Sequence, residues 1–334
     1  MAVTFEELNN ESWLKIAGYD SQRPFFMSIV SDSNHWMFIS SNGGLTAGRK
    51  NADYPLFPYY TDDKLTELAH TTGNCSIFRI HVNGEEHLWE PFTERMSGRY
   101  QINRTLYKNK LGNKVMFEEF NRDLGLRFQY EWNSSNQYGF VKKSRLLNES
   151  PHEIQITLLD GIQNIMPYGV SSELQTRVSN LVDAYKRTEL HKASGLAMFS
   201  LSAIIVDKAE PSEALKANIA WSQGLENPQF LLSSLQLDNF RNGLPIHEEE
   251  DIKGEKGSYF IHTQLILPPG KQKNWSVVAN VNQNQSAVIE LIEHIQKKQN
   301  LHEKVEADIE KGSRNLVQLI AASDGLQKTS DPLK

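Results

Sequence analysis

Leu126-Arg127-Phe128-Gln129-Tyr130-Glu131-Trp132 alternates apolar and polar side chains without a break. Successive side chains of a strand point to opposite faces, so Leu126, Phe128, Tyr130 and Trp132 share one face while Arg127, Gln129 and Glu131 share the other. A strand with one apolar face must bury that face against a second layer. Asn121–Gly125 (NRDLG) and Asn133–Gln137 (NSSNQ) bound the run with turn chemistry.

The same rhythm extends on both sides. Phe25–Ser31 and His35–Ser40 flank a short SDSN turn and read as a hairpin, and Ile77–Val82 turns through Asn83-Gly84 into His87–Trp89. Tyr100–Tyr107, Val115–Phe120, Phe140–Leu147 and Glu153–Leu159 continue it. Strands at about ten-residue spacing mark a sandwich or barrel, and so many of them favour two large stacked sheets over a small closed barrel. Asp160–Val170 (DGIQNIMPYGV) breaks the pattern, because Pro167 and two glycines argue against a central strand there. Ser171–Tyr185 then reads as one amphipathic helix, with Ser171 or Ser172 as N-cap.

Leu196–Val206, Asn218–Gln223, Ser258–Leu267 and Lys273–Val281 supply further strands, with Pro268-Pro269-Gly270 as a tight turn between the last two. His247–Lys256 is dense in charge without a regular ligand spacing and reads as a solvated loop. Ala287–Gln299 and Leu301–Ala322 are helical, with apolar stripes of Val288, Leu291, Ile292 and Ile295, then Val305, Ile309, Leu316, Leu319 and Ile320. Such stripes need a partner. Either the helices fold back on the sandwich or they expect a further domain, and exposed stripes would also drive a homodimer.

Composition excludes several classes. The chain has 334 residues, a formal charge of -6 and no basic patch, which argues against nucleic acid. No apolar run approaches the ~20 residues of a membrane span. The N-terminal MAVTFEELNNESWLKI is acidic and lacks the apolar core of a secretory signal, so the expected location is cytoplasmic. The lone cysteine, Cys75, rules out an internal disulfide framework and reads as a buried small hydrophobe.

Asn42–Lys64 (NGGLTAGRKNADYPLFPYYTDDK) is expected to be a long irregular loop, since it is rich in glycine and holds Pro55 and Pro58. Ordered loops of that length usually serve a function. Sugars are bound by aromatic faces and by planar amide, carboxylate and guanidinium groups. The loop offers Asn42, Arg49, Asp53, Tyr54, Tyr59, Tyr60, Asp62 and Asp63, and LWEPFTER at 88–95 adds Trp89, Glu90 and Arg95. These are the candidate carbohydrate or interdomain contacts. The alternative is that Trp89 and the tyrosines plug the end of the sandwich or meet another domain.

No catalytic constellation emerges. Glycoside chemistry wants two carboxyls roughly 5–9.5 Å apart. Asp62-Asp63 cannot be assigned as acid and base, and Glu118 and Glu119 point to opposite faces of their strand, where a solvated edge is the expected role. A mutarotase needs a base and an acid across the sugar ring, and nothing fixes the mutual geometry of His81, His87, His191 and His262. One cysteine and no closely spaced histidine pair argue against a metal site. No phosphate-binding glycine pattern, dinucleotide fingerprint or nucleophile elbow is present, so no cofactor is expected.

The order of parts resembles the N-terminal region of the inverting disaccharide phosphorylases (cellobiose and chitobiose phosphorylase, and relatives of cyclic β-1,2-glucan synthase) and of their large bacterial relatives. The residues that carry the resemblance are SNGGLTAGR at 41–49, RLLNESPHEIQITLLDGIQNIMPYG at 145–169 and ILPPGKQKNWSVVANV at 266–281. In that family the second is similar to a strand pair crossing the sandwich and the third to its closing hairpin. The resemblance implies a galactose mutarotase-like, mainly β, antiparallel two-sheet supersandwich over residues 1–283, with one inserted helix. A two-helix linker over 284–334 would then lead to an (α/α)6 catalytic barrel that this chain lacks. It further implies a non-catalytic unit that shapes an active site or an interdomain or dimer interface. The alternative is a free-standing sugar-binding or aldose-epimerase-like protein.

Overall fold

The computed structural model describes residues 2–60, 62–82, 84–177, 179–203, 216–297 and 299–323. In chain order its elements begin with β1 (Ala2–Leu8), β2 (Glu11–Ala17), β3 (Phe26–Ile29), β4 (His35–Ser40), β5 (Leu45–Arg49), β6 (Pro55–Phe57) and α1 (Asp62–Glu67). There follow β7 (Gly73–Val82), β8 (Glu85–Trp89), β9 (Ile102–Asn109), β10 (Val115–Asn121), β11 (Leu126–Ser135), β12 (Gly139–Asn148) and β13 (Ile154–Ile165). Then come α2 (Ser172–Arg177), α3 (Ser179–Tyr185), β14 (Lys186–His191), β15 (Leu196–Leu201), β16 (Lys216–Gln223), β17 (Gln229–Leu231) and α4 (Leu237–Arg241). The last are β18 (Asp251–Lys253), β19 (Gly257–Leu267), β20 (Gln272–Asn284), α5 (Gln285–Gln296) and α6 (Leu301–Ala322).

The fold is an antiparallel β-sandwich. One layer is an eleven-stranded sheet in the order β1-β2-β9-β10-β11-β12-β20-β16-β15-β14-β18. The other layer is divided between a five-stranded sheet, β17-β19-β13-β7-β8, and a four-stranded sheet, β3-β4-β5-β6. The apolar face of β11 lies in the core, where Leu126, Phe128, Tyr130 and Trp132 meet Phe78, Ile156 and Leu158 of the five-stranded sheet and Ile39, Leu56 and Phe57 of the four-stranded one.

Two of the crossings between layers lie side by side. β12 belongs to the large sheet and β13 to the five-stranded one, and β19 and β20 make the reverse crossing. Pro268-Pro269-Gly270 therefore turns between layers instead of closing a hairpin. Buried Asn148 staples the two crossings by donating from Nδ2 to the carbonyls of His152 (2.7 Å) and Leu267 (2.8 Å).

Three expectations are corrected. Asn42–Lys64 is not an irregular loop, because it holds β5, β6 and the start of α1. Prolines exclude a central strand but not an edge strand, whose outward backbone needs no N–H, and β6, which begins at Pro55, is the edge of its sheet. Gly48 permits the pairing, since a Cβ there would stand 2.4 Å from the Trp36 ring. Secondly, Asp160–Ile165 is the end of β13, a strand at the centre of its sheet. Gly161 is required there because a Cβ would lie 2.0 Å from the Tyr259 carbonyl oxygen. Only at Pro167 does the chain leave. Thirdly, Glu119 is fully buried and Glu118 nearly so. Neither stands at a solvated edge, because donors remote in sequence satisfy both.

Helical structure flanks residue 178 on both sides, as α2 and α3, while 178 itself lies outside the described residues. Ser171 caps α2, its Oγ accepting from the Leu174 N–H at 3.2 Å. Residues 204–206 of the expected strand 196–206 also lie outside the described residues. β1 and β2, β14, β17 and β18 carried no clear period in the sequence.

The terminal helices fold back. Leu301, Val305 and Ile309 of α6 and Val288 of α5 are buried against Tyr138, Val141, Leu196, Ile219, Trp221 and Val278, on the face of the large sheet that points away from the second layer. Polar contacts fix α6 further: Asp308 accepts from Ser135 Oγ and the Gln137 N–H, and Asn113 Nδ2 donates to Ser313 Oγ at 3.0 Å. Among the described residues no helix is long and apolar enough to cross a membrane.

Candidate functional site

The pleat that buries Tyr130 and Trp132 turns Gln129 and Glu131 to the other face of the sheet. Register extends both positions sideways. Glu131 stands opposite Met116 of β10 and Lys143 of β12, and Lys143 stands opposite Ser276 of β20. Two residues along, Gln129 stands opposite Glu118 and Arg145, and Arg145 stands opposite Asn274. α6 covers the neighbouring part of this face. Its buried stripe Leu301, Val305, Ile309 lies beside a second row, His302, Glu306, Glu310, again four residues apart.

The result is a cleft of about 760 Å³ between sheet and helix. β2 contributes Glu11 and Trp13, β10 Met116 with Lys114 just before it, and β11 Gln129 and Glu131. β12 adds Lys143 and Arg145, β20 Gln272 and Asn274, β16 Gln223, and α6 His302, Glu306 and Glu310.

Most charges in the cleft are committed to each other. Lys114 Nζ bonds Glu11 (2.5 Å) and faces Glu310 (3.6 Å), and Lys143 Nζ bonds Glu306 (2.6 Å). Gln223 Nε2 donates to His302 Nδ1 at 3.4 Å. Gln129 Nε2 donates to Glu118 at 2.6 Å. Among the described residues Glu131 is in no ion pair, and the Arg145 side chain is in neither an ion pair nor a hydrogen bond. Burial raises the Glu131 carboxyl above its ordinary value, with Glu11 adding to the rise, while Lys143, Asn133 and Lys114 pull the other way. A carboxyl raised by burial in a polar cleft marks the position as a candidate for proton transfer.

That bias has a stability consequence. A folded-state pKa above the unfolded one means that the folded chain holds the extra proton between the two values. The Glu131 contribution is therefore fully present below the unfolded value and is lost as pH rises through the folded one. Glu131→Gln is expected to raise thermal stability at pH 8 relative to wild type and to leave it nearly unchanged at pH 4. Melting curves across that range check this, and a variant equally or more destabilised at pH 8 would contradict the assignment.

The sequence-predicted residues lie elsewhere. Arg49 clasps the four-stranded sheet to the β11–β12 turn, donating to Asn34 Oδ1 (2.7 Å), the Asn136 carbonyl (3.0 Å) and Asn280 Oδ1 (3.3 Å). Asp53 Oδ1 accepts from both the N–H and the hydroxyl of Ser172 at the start of α2. Lys50 sits over the Tyr54 ring, Tyr59 packs edge-on against Trp36, and Tyr60 borders a separate small cavity with Asp183 and Lys186. Asp62 and Asp63 open α1, and their side chains lie outside the described residues.

Trp89 is sealed in the core, donating to Glu119 at 2.8 Å. Glu90 is buried against Arg241 in a two-bond pair of 2.8 and 3.0 Å, and exposed Arg95 stands 4.0 Å from Asp238. Among the described residues only Asn42, Glu90 and Arg95 of this set meet, in a recess of about 60 Å³ that also holds His70, Cys75 and Arg241. Burial pushes the Cys75 thiol up to about 12, which leaves it a poor nucleophile.

The cleft residues were missed because they are spread over the polar halves of several elements far apart in sequence. Two signals point to them in retrospect: the polar face of 126–132, and the row His302, Glu306, Glu310 beside an apolar row of the same period. Among the described residues no group of three or more His, Cys, Asp or Glu is arranged to hold a metal ion.

No family model matches the chain, and no curated protein matches it. Solved structures with a loosely similar chain path include a polysaccharide lyase (12% identity, TM-score 0.45, covering 78% of this chain and 34% of the lyase). Another is a candidate kojibiose phosphorylase from the human microbiome (10%, TM-score 0.38, 74% of this chain and 28% of that one). A third is a candidate aldose 1-epimerase from Escherichia coli K12 (10%, TM-score 0.41, 78% and 99%). The chain thus spans about a third of the length of the lyase and less of the phosphorylase.

Proposed function

We propose that this chain is the β-sandwich unit of a carbohydrate-active protein and that it binds saccharide in the cleft beside α6, without itself breaking a glycosidic bond. The observation that carries the reading is the lining of the cleft: the amides of Gln129, Gln272 and Asn274 and a guanidinium on one sheet face, with carboxylates from sheet and helix around them. Planar groups of this kind pair with vicinal hydroxyls.

Calorimetric titration of the chain with mono- and disaccharides tests it. Heat of binding is expected, and Asn274→Ala, at an exposed position, should weaken it about fivefold, the loss of roughly one net hydrogen bond of ~1 kcal/mol. If no saccharide in the panel produces heat, the reading falls.

A second reading, aldose epimerisation, is favoured by one feature, the raised carboxyl of Glu131. It needs a partner across the ring, and His302 in this cleft is turned to Gln223. Polarimetry on freshly dissolved α-D-glucose separates the two, because only an epimerase speeds the decay of rotation.

A further inference from the structure

We propose that the saccharide taken by the cleft beside α6 is an acidic one, whose carboxylate is gripped by Arg145; this rests on the carbohydrate reading of the same cleft.

The argument begins with the cations. Lys114 and Lys143 are both spent on carboxylates of the cleft wall. Arg145 is exposed and has no partner among the described residues. Its neighbours are not carboxylates that could neutralise it: register places Gln129 on one side and Asn274 on the other. Adjacent strands lie about 4.8 Å apart, so the three planar groups form one row, amide, guanidinium, amide, across the cleft floor. A guanidinium presents a fork of N–H donors that matches the two oxygens of a carboxylate.

The flanking amides then have distinct uses. Gln129 has committed its Nε2 to Glu118, which leaves its carbonyl to accept from a sugar hydroxyl. Asn274 makes no side-chain hydrogen bond among the described residues and can donate to the same carboxylate or pair with a neighbouring hydroxyl. The nearest carboxyl of the next row is Glu131, diagonal to Arg145. Burial there works against its charged form. The recognised class is therefore a uronate, a sugar ring carrying a carboxylate at its exocyclic carbon.

The test compares methyl β-D-glucuronide with methyl β-D-glucoside, two ligands that differ at that one carbon, by titration calorimetry on the full chain. The glucuronide is expected to bind at least about tenfold tighter, a difference of ~1.4 kcal/mol, and the preference should shrink with added salt. Arg145→Gln should abolish the preference, so that the two ligands bind alike, and Arg145→Lys should keep part of it. Arg145 is exposed and unbonded, so matching melting curves would establish that these variants fold.

Equal affinity for the two ligands in the wild type, or a preference that survives Arg145→Gln, overturns the assignment and leaves the carbohydrate reading standing. If neither ligand binds, and no saccharide of the wider panel does, both fall together.

Discussion

Asp160→Ala is expected to cost the fold about 3–5 kcal/mol, the range for removing one partner of a buried ion pair. Asp160 and Lys142 are both fully sealed from solvent, one on β13 and one on β12, so their 2.7 Å contact ties the five-stranded sheet to the eleven-stranded sheet through the middle of the sandwich. Asp160 also accepts from Ser76 Oγ (2.6 Å), Trp275 Nε1 (2.6 Å) and Ser144 Oγ (3.1 Å).

Truncation strands an ammonium and three neutral donors where water does not reach. The ammonium is the costly part: burial pulls the Lys142 pKa down, and Asp160 is the main influence that holds it up. Urea denaturation monitored by tryptophan fluorescence gives the loss. The double variant Lys142→Met/Asp160→Ala separates charge from packing, because it removes the stranded cation and should be more stable than Asp160→Ala alone. A loss under about 1 kcal/mol for the single variant, or a double variant weaker than the single, would show that the pair does not bind the layers.

Glu119→Ala is expected to be the other severe loss, on the order of 3 kcal/mol. The carboxylate is fully buried and accepts from Trp89 Nε1 (2.8 Å), the Phe92 backbone N–H (2.7 Å) and Arg104 Nε (2.7 Å). Arg104 has other anchors, the Thr93 carbonyl at 3.1 Å and Asp20 at 3.8 Å, which soften its share.

Phe92 does not have that reserve. Its φ of 66° is unusual for a bulky residue, and the bond to Glu119 helps hold it there. Its ring packs on Phe117, Phe128 and Tyr130 at centroid distances of 6.2, 6.1 and 5.2 Å. Loss of the carboxylate should therefore loosen an aromatic cluster as well as three donors. Near-ultraviolet circular dichroism should lose tryptophan and aromatic signal at temperatures where the far-ultraviolet spectrum is still native. Glu119→Gln keeps one accepting oxygen and should fall between. If Glu119→Ala melts with wild type and keeps its near-ultraviolet spectrum, the clamp is dispensable.

Both clamps show where sequence reading stopped. VMFEEF at 115–120 puts one glutamate on each face of its strand, and a glutamate in a strand usually faces water. Glu119 goes inward because Trp89, Phe92 and Arg104, between 15 and 30 residues away, converge on it. Asp160 follows the same logic with donors from β7, β12 and β20. The expectation of a loop over 42–64 fails for a related reason: its prolines exclude a helix, while the edge position that tolerates them in a strand is a property of the assembled sheet. Arg49, Asp53 and Trp89 have chemistry suited to sugars, and folding spends it on Asn136, Ser172 and Glu119.

By itself the sequence determined the local terms. The alternation in 126–132 specified a strand with one buried face. The Asn, Gly and Pro clusters specified the turns, and the four-residue stripes of α5 and α6 specified two helices that had to bury a face. Each follows from covalent geometry and the spacing of apolar groups along a few consecutive residues, so no distant partner is needed to read it. Only the tertiary structure decided that β12 and β13, or β19 and β20, are consecutive strands in different layers, and that α6 lies on the outer face of the large sheet. The cleft belongs to that second class. Its lining comes from several strands and a helix, each giving the side its own burial leaves over, and a side chain left over from packing carries no mark in the chain until its neighbours are in place.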